Sequence, residues 1–86
     1  MNTEKYWVYV LELMNGRKYI GHTNNLERRL QEHQTGRSPY TRKNKVTRLL
    51  YSEIYDSRSE AMKREKFLKT GNGREWLKQQ LAAHSA

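Results

Sequence analysis

The chain has 86 residues, enough for one domain and too few for two. It carries 17 Lys and Arg against 9 Asp and Glu, a formal charge of +8, and only 35% of it is apolar. With no cysteine, a disulfide framework, a thiolate zinc site and thiol catalysis are all excluded. No apolar run approaches the ~18–20 residues of a membrane span, and none suits a signal peptide. The expectation is a small, soluble, cytoplasmic domain with a thin core, whose surface favours a polyanion such as nucleic acid.

In chain order, Tyr6–Leu13 reads Tyr-Trp-Val-Tyr-Val-Leu-Glu-Leu, aromatic and β-branched types that suit a pleated strand. Alternation puts Trp7, Tyr9, Leu11 and Leu13 on one face and Tyr6, Val8, Val10 and Glu12 on the other. Both faces are largely apolar, which predicts a central strand covered on each side. Asn15-Gly16 follows as a hairpin signal, with residues 17–22 as the return strand. A third strand is predicted over residues 48–55.

Three helix starts share an acceptor side chain followed three residues later by Glu, the spacing of a capping box: Asn24 with Glu27, Ser57 with Glu60, and Asn72 with Glu75. Gly36 and Gly71 stand where the first two of these helices should stop. The polar stretch from Gly36 to Lys45 holds Pro39, the single proline. Strands beside separate helices predict an α+β fold with a three-stranded sheet. One domain over residues 1–86 is expected, its core at about 6–77 and its last helix reaching about 83.

Several side chains could carry chemistry. Tyr19 and Gly21 share a face of the return strand; Gly21 reads either as a close approach of a ligand or another backbone or as a bulge or the strand's end, and Tyr9 and Tyr19 read first as packed cross-strand aromatics. In the helix over 24–34, Leu26 and Leu30 are the expected buried stripe. Arg29 and His33, four residues apart, share a face beside it. Arg29 suits a phosphate clamp; a solvated basic helix with an Arg28–Glu32 pair is the plainer alternative. In the helix over 59–69, Ala61, Glu65 and Leu68 follow inward spacing, joined by Met62. An inward carboxylate needs a partner, either an ion pair with Arg29 or a divalent cation such as Mg²⁺ or Mn²⁺. In the last helix, Trp76, Leu77, Gln80 and Leu81 form the inner face. Trp76 reads as an anchor in preference to a base-stacking platform. Between the first helix and the third strand, Arg37, Tyr40, Arg42, Lys43 and Lys45 interleave charge with an aromatic, as backbone phosphate contacts do.

Trp7-Val8-Tyr9, then Tyr19-Ile20-Gly21, then Asn25-Leu26-Glu27-Arg28-Arg29-Leu30, and later Ala61 to Lys69, together resemble the signature of GIY-YIG endonucleases. The similarity spans about residues 6–77 and is nearest to small stand-alone members. It implies a three-stranded antiparallel sheet flanked by helices and metal-dependent hydrolysis of a DNA phosphodiester. A single small domain leaves little surface for base readout, so cutting is expected on branched or single-stranded regions or with weak sequence selectivity. The resemblance also implies a site made of Tyr9, Tyr19, Arg29, His33 and Glu65, with Glu65 holding one Mg²⁺ or Mn²⁺. His22 follows Gly21 where relatives place a polar residue, and joins Arg28, Arg37, Arg42, Lys43 and Lys45 as expected nucleic-acid contacts. Trp7-Val8-Tyr9 departs from the Gly-Ile-Tyr of the family name but keeps the tyrosine. An asparagine that supports the site in some relatives has Asn72, at a capping position, as its one counterpart after Asn44.

Two readings of function follow: a DNA endonuclease in repair, recombination or processing, or a nucleic-acid-binding module on the same fold without catalysis. Glu65 discriminates them, because binding needs only the basic surface. A homodimer or a protein partner is left open. In a bacterium such a protein is expected near the nucleoid.

Overall fold

A computed structural model describes residues 4–37 and 44–84. Strand β1 (Tyr6–Leu13) runs into β2 (Lys18–Thr23), then helix α1 (Leu26–Gln34), strand β3 (Val46–Tyr55), helix α2 (Arg58–Leu68) and helix α3 (Gly71–His84). The sheet order is β2-β1-β3, and β1 pairs antiparallel with both neighbours. The α+β architecture therefore matches the expectation from sequence, with β1 central as its two apolar faces require.

The hairpin closes through three residues. Leu13 N donates to Arg17 O and Gly16 N to Leu13 O, both at 2.9 Å. Only Gly16 takes positive φ (85°), so Asn15 serves as an acceptor for Arg17 N instead. This is the loop that pairs a type I turn with a left-handed glycine.

Register sorts the sheet's two faces. Val8 and Val10 pack with Ala61, Leu68 and Leu77 into the main core, which α2 and α3 cover. On β3 the pairing slips twice, leaving Thr47 and Leu50 as extra residues. The second bulge lets consecutive Leu50 and Tyr51 both reach this core. On the other face Tyr9, Leu11 and Leu13 are buried, and α1 lies against Tyr9 through His33.

Helix ends differ in detail from the sequence reading. Asn25, rather than Asn24, caps α1 by accepting from Arg28 N at 3.0 Å. Ser57 caps α2 as expected, accepting from Glu60 N at 3.2 Å. At α3 the cap is Thr70, whose hydroxyl accepts from Gly73 N at 3.1 Å. Asn72 and Gly71 accordingly lie inside the first turn of α3. Gly73 is required by space, since a Cβ there would sit 1.9 Å from Phe67 O. Met62 is exposed, because it stands ~100° round the helix from Ala61.

Candidate active site

The site is built on β2 and its neighbours. Cross-strand pairing sets Tyr9 opposite Gly21 and Val8 opposite His22. Adjacent residues of β2 thus point to opposite faces: Gly21 to the α1 side, His22 to the α2 side.

On the α1 side, Tyr9 and His33 are each only 1% exposed. The Tyr9 hydroxyl lies 3.0 Å from His33 Nε2 and accepts from Arg29 Nε at 3.3 Å. With one lone pair engaged by Arg29, we assign the hydroxyl proton to His33 Nε2. Burial first, then the Arg29 charge, holds the His33 imidazole below its ordinary pKa, in the neutral form that accepts. Burial pushes the Tyr9 hydroxyl up to about 12. Tyr19 is partly exposed, stacks on Tyr9 with ring centroids 6.2 Å apart, and meets His33 edge-on at 4.9 Å. A Cβ at Gly21 would fall 2.6 Å from the Tyr9 hydroxyl, so the glycine makes room for the stacked tyrosines. Gly21 pairs in regular register inside β2, so it is neither a bulge nor the strand's end, and the group that approaches it closely is the Tyr9 side chain.

Arg29 is held above its ordinary pKa, first by its hydrogen bond to Tyr9, against burial, with Glu32 and Tyr19 adding to the effect. Its Nη1 is 3.4 Å from Glu32 Oε1. Neither expected ion pair forms: Arg29 does not pair with Glu65, and Arg28 hydrogen-bonds Asn24 at 3.3 Å instead of Glu32. Leu26 and Leu30 are half-buried, and the buried residue of α1 is His33. A histidine can take the innermost position because the Tyr9 hydroxyl partners its ring nitrogen.

On the α2 side, Glu65 receives His22 Nδ1 on Oε1 and donation from Lys69 Nζ on Oε2, both at 2.7 Å. Burial is the largest single influence on Glu65 and pushes its pKa up. The Lys69 and His22 hydrogen bonds together outweigh it, leaving the carboxylate below its ordinary value and ionised. His22, expected among the nucleic-acid contacts, is therefore committed to Glu65. The charge of Glu65 reaches Tyr9, helping to raise its hydroxyl. The two networks lie on opposite faces of the edge strand β2, at the consecutive residues Gly21 and His22. Sequence reasoning missed Lys69 as a partner of Glu65 and gave Glu32 to Arg28 where the structure gives it to Arg29. Their signal was the i+4 spacing from Glu65 and the i+3 spacing from Arg29.

Of the expected phosphate contacts, Arg28, Arg37 and Lys45 are exposed, while Arg42 and Lys43 lie outside the described residues. Lys45 sits beside the hairpin turn, its carbonyl accepting from Met14 N at 2.9 Å.

A model of the GIY-YIG catalytic domain matches residues 5–79. The chain belongs to the GIY-YIG family. A UPF0213 protein of Staphylococcus saprophyticus is 33% identical over 76 residues, covering 87% of this chain and 93% of its own length. A UPF0213 protein of Streptococcus agalactiae is 44% identical over 64 residues, 73% of each chain. The solution NMR structure of a UPF0213 protein of Bacillus halodurans superposes with a TM-score of 0.56 at 32% identity, covering 88% of this chain and 84% of that one. Membership places this chain in a nuclease family whose substrate is DNA and whose members generally use divalent metals. No helix among the described residues is long and apolar enough to cross a membrane.

The donor set can be tested against such an ion. Among the described residues no three His, Cys, Asp or Glu side chains converge, so a closed protein cage is absent there. One ionised, partly exposed carboxylate already engaged with the Lys69 ammonium is what remains. That fits an Mg²⁺-like ion, which is commonly bound through one carboxylate, with water and phosphate oxygens completing the shell.

Proposed function

We propose that this protein is a divalent-metal-dependent DNA endonuclease. In this reading Glu65 holds one Mg²⁺ or Mn²⁺, and branched or locally single-stranded DNA is the substrate. The observation that carries it is the placement, at consecutive Gly21 and His22 on the two faces of the edge strand β2, of a Tyr9–His33–Arg29 network and an ionised Glu65. The chain acts as a single nuclease domain in the cytoplasm, in DNA repair, recombination or processing.

The roles follow from the chemistry. A bound divalent ion supplies Lewis-acid stabilisation of charge on phosphate and leaving oxygens. Arg29 is permanently charged and oriented by Tyr9 and Glu32, and it donates to a non-bridging phosphate oxygen. Tyr9 is buried and, at about 12, too weak an acid to serve alone. Tyr19 is the tyrosine open to solvent, so its hydroxyl positions the attacking water. The Tyr9–His33 pair behind it can take up a proton, ending on the neutral imidazole. Water oxygen bonds to phosphorus as the bond to the leaving oxygen breaks.

A nicking assay on supercoiled and branched DNA with Mg²⁺ or Mn²⁺ tests this. Glu65→Gln and Arg29→Ala should each lower the rate by about 10²-fold or more. Unchanged cleavage in both variants sinks the assignment. Salt-dependent DNA binding by a parent that cuts nothing favours the binding module instead.

A further inference from the structure

The outward side of α2 carries a basic strip that the site does not use. Arg58, Ser59, Met62, Lys63 and Lys66 line an open groove of about 340 Å³. At ~100° per residue Met62, Lys66, Ser59 and Lys63 fall about 100–200° round the helix from Ala61, on the side away from Ala61 and Leu68, with Arg58 at its border about 60° from Ala61. The Arg58 guanidinium sits 5.1 Å above the Tyr6 ring, which sets its direction. Among the described residues, the Lys63 and Lys66 side chains make no ion pair or hydrogen bond. Of the two acids on α2, Glu65 is held by His22 and Lys69, and Glu60 is turned to the N-cap, within 3.3 Å of the Ser57 hydroxyl. Like charges at this spacing repel one another, a cost that an external polyanion relieves. The strip also adjoins the site: Lys66 follows Glu65, and Lys69 touches it.

The basic residues expected from sequence to track DNA lie elsewhere. Lys45 borders the hairpin turn beside Met14, at the opposite end of β1 from the Val8–His22 pair, ~16 Å away along the strand.

We infer that the sugar–phosphate backbone of duplex DNA leaves the site across the outer face of α2, held by Arg58, Lys63 and Lys66. From Arg58 to Lys66 the helix rises ~12 Å, the length of ~3–4 base-pair steps, so the three cations fall along a run of about four to five phosphates of one strand. Exposed Met62 lies among them and packs against sugar. The inference rests on DNA being the substrate.

The test is the salt dependence of binding to a fluorescein-labelled DNA duplex, measured in EDTA so that cleavage plays no part. Lys63→Gln/Lys66→Gln should reduce the slope of log K against log salt by about 2. Arg37→Gln/Lys45→Gln should reduce it by well under 1. All four positions are exposed, so circular dichroism should find both variants folded. Equal losses, a larger loss in the second variant, or no salt-dependent duplex binding by the parent overturns the inference. A parent that binds with the expected slope pattern yet never cuts refutes the nuclease reading while supporting this face.

Discussion

Lys69 stands one helical turn beyond Glu65, and its ammonium lies 2.7 Å from Glu65 Oε2, so the carboxylate assigned to a divalent ion already holds a monovalent one. Any metal arriving there must displace it. The lysine is half-exposed, so solvent screens the pair and the competition is modest. Lys69→Met should tighten Mn²⁺ binding by about 2–5-fold, as read by the loss of free Mn²⁺ signal in electron paramagnetic resonance. Glu65→Gln should abolish that binding. Equal affinity in Lys69→Met and the parent would show that the ammonium does not compete.

His33 links stability to pH. Its imidazole is buried and neutral against Tyr9, with a folded pKa below the ordinary 6.5. Between those two values the unfolded chain binds more protons than the folded one. The contribution is therefore complete above 6.5 and lost as pH falls through the window. Glu65 and Glu53, both lowered from 4.5, add their own losses only in more acidic solution. Melting temperature followed from about pH 8 to about pH 5 should decline, and His33→Gln should flatten that decline. A parent curve as flat as the variant's contradicts the buried neutral imidazole.

The two tyrosines should separate by stability. Tyr9→Phe removes the partner of both Arg29 Nε and His33 Nε2. An unsatisfied buried polar group costs about 1–3 kcal/mol. Tyr19 is partly exposed, so Tyr19→Phe should cost under about 1 kcal/mol. Both should lose about 10²-fold or more in cleavage rate. Urea unfolding beside the nicking assay checks this. Full activity in Tyr19→Phe removes it from contact with the water.

How much of this could be read from the residues alone depends on which force decides each feature. Alternation in Tyr6–Leu13 gave the central strand, because a two-sided apolar strand has few other places to go. Ser57 and Glu60 gave the start of α2, since that hydrogen bond is local. The rotation of α1 was misread, because Leu26 and Leu30 look like a core stripe until a Tyr9 hydroxyl is available to bury His33. The slip in β3 at Leu50 depends on what α2 and α3 offer across the core, and the slip at Thr47 on an exposed hydroxyl that reaches Glu12; no local pattern reports either. Glu65 was placed inward correctly, yet its partners were not. Arg29 is the stronger cation, but it lies across the sheet, whereas Lys69 is one turn away and His22 is directly opposite on β2.

Glu53 fixes the helix that carries Glu65. Its carboxylate accepts Arg64 Nε at 2.9 Å and Nη2 at 3.1 Å, with the Tyr51 and Tyr55 hydroxyls at 2.5 and 2.7 Å. Arg64 also lies 4.4 Å above the Trp76 ring, so one guanidinium ties β3, α2 and α3 together. Burial alone would raise Glu53; Arg64 first and then the two tyrosines outweigh it and keep the carboxylate ionised. Both side chains are mostly buried, 15% exposed for Glu53 and 25% for Arg64, so breaking the pair leaves a charge short of solvent. Glu53→Gln should cost about 1–3 kcal/mol in urea unfolding. Arg64→Lys, which keeps the charge but loses the forked geometry and the stack, should recover only part of that. Because Arg64 and Glu65 are consecutive, the clamp also sets the rotation of α2 that turns Glu65 toward His22. Glu53→Gln should therefore weaken Mn²⁺ binding as well, under conditions where the protein remains folded. Unchanged Mn²⁺ affinity in a folded Glu53→Gln protein would confine the clamp to stability alone.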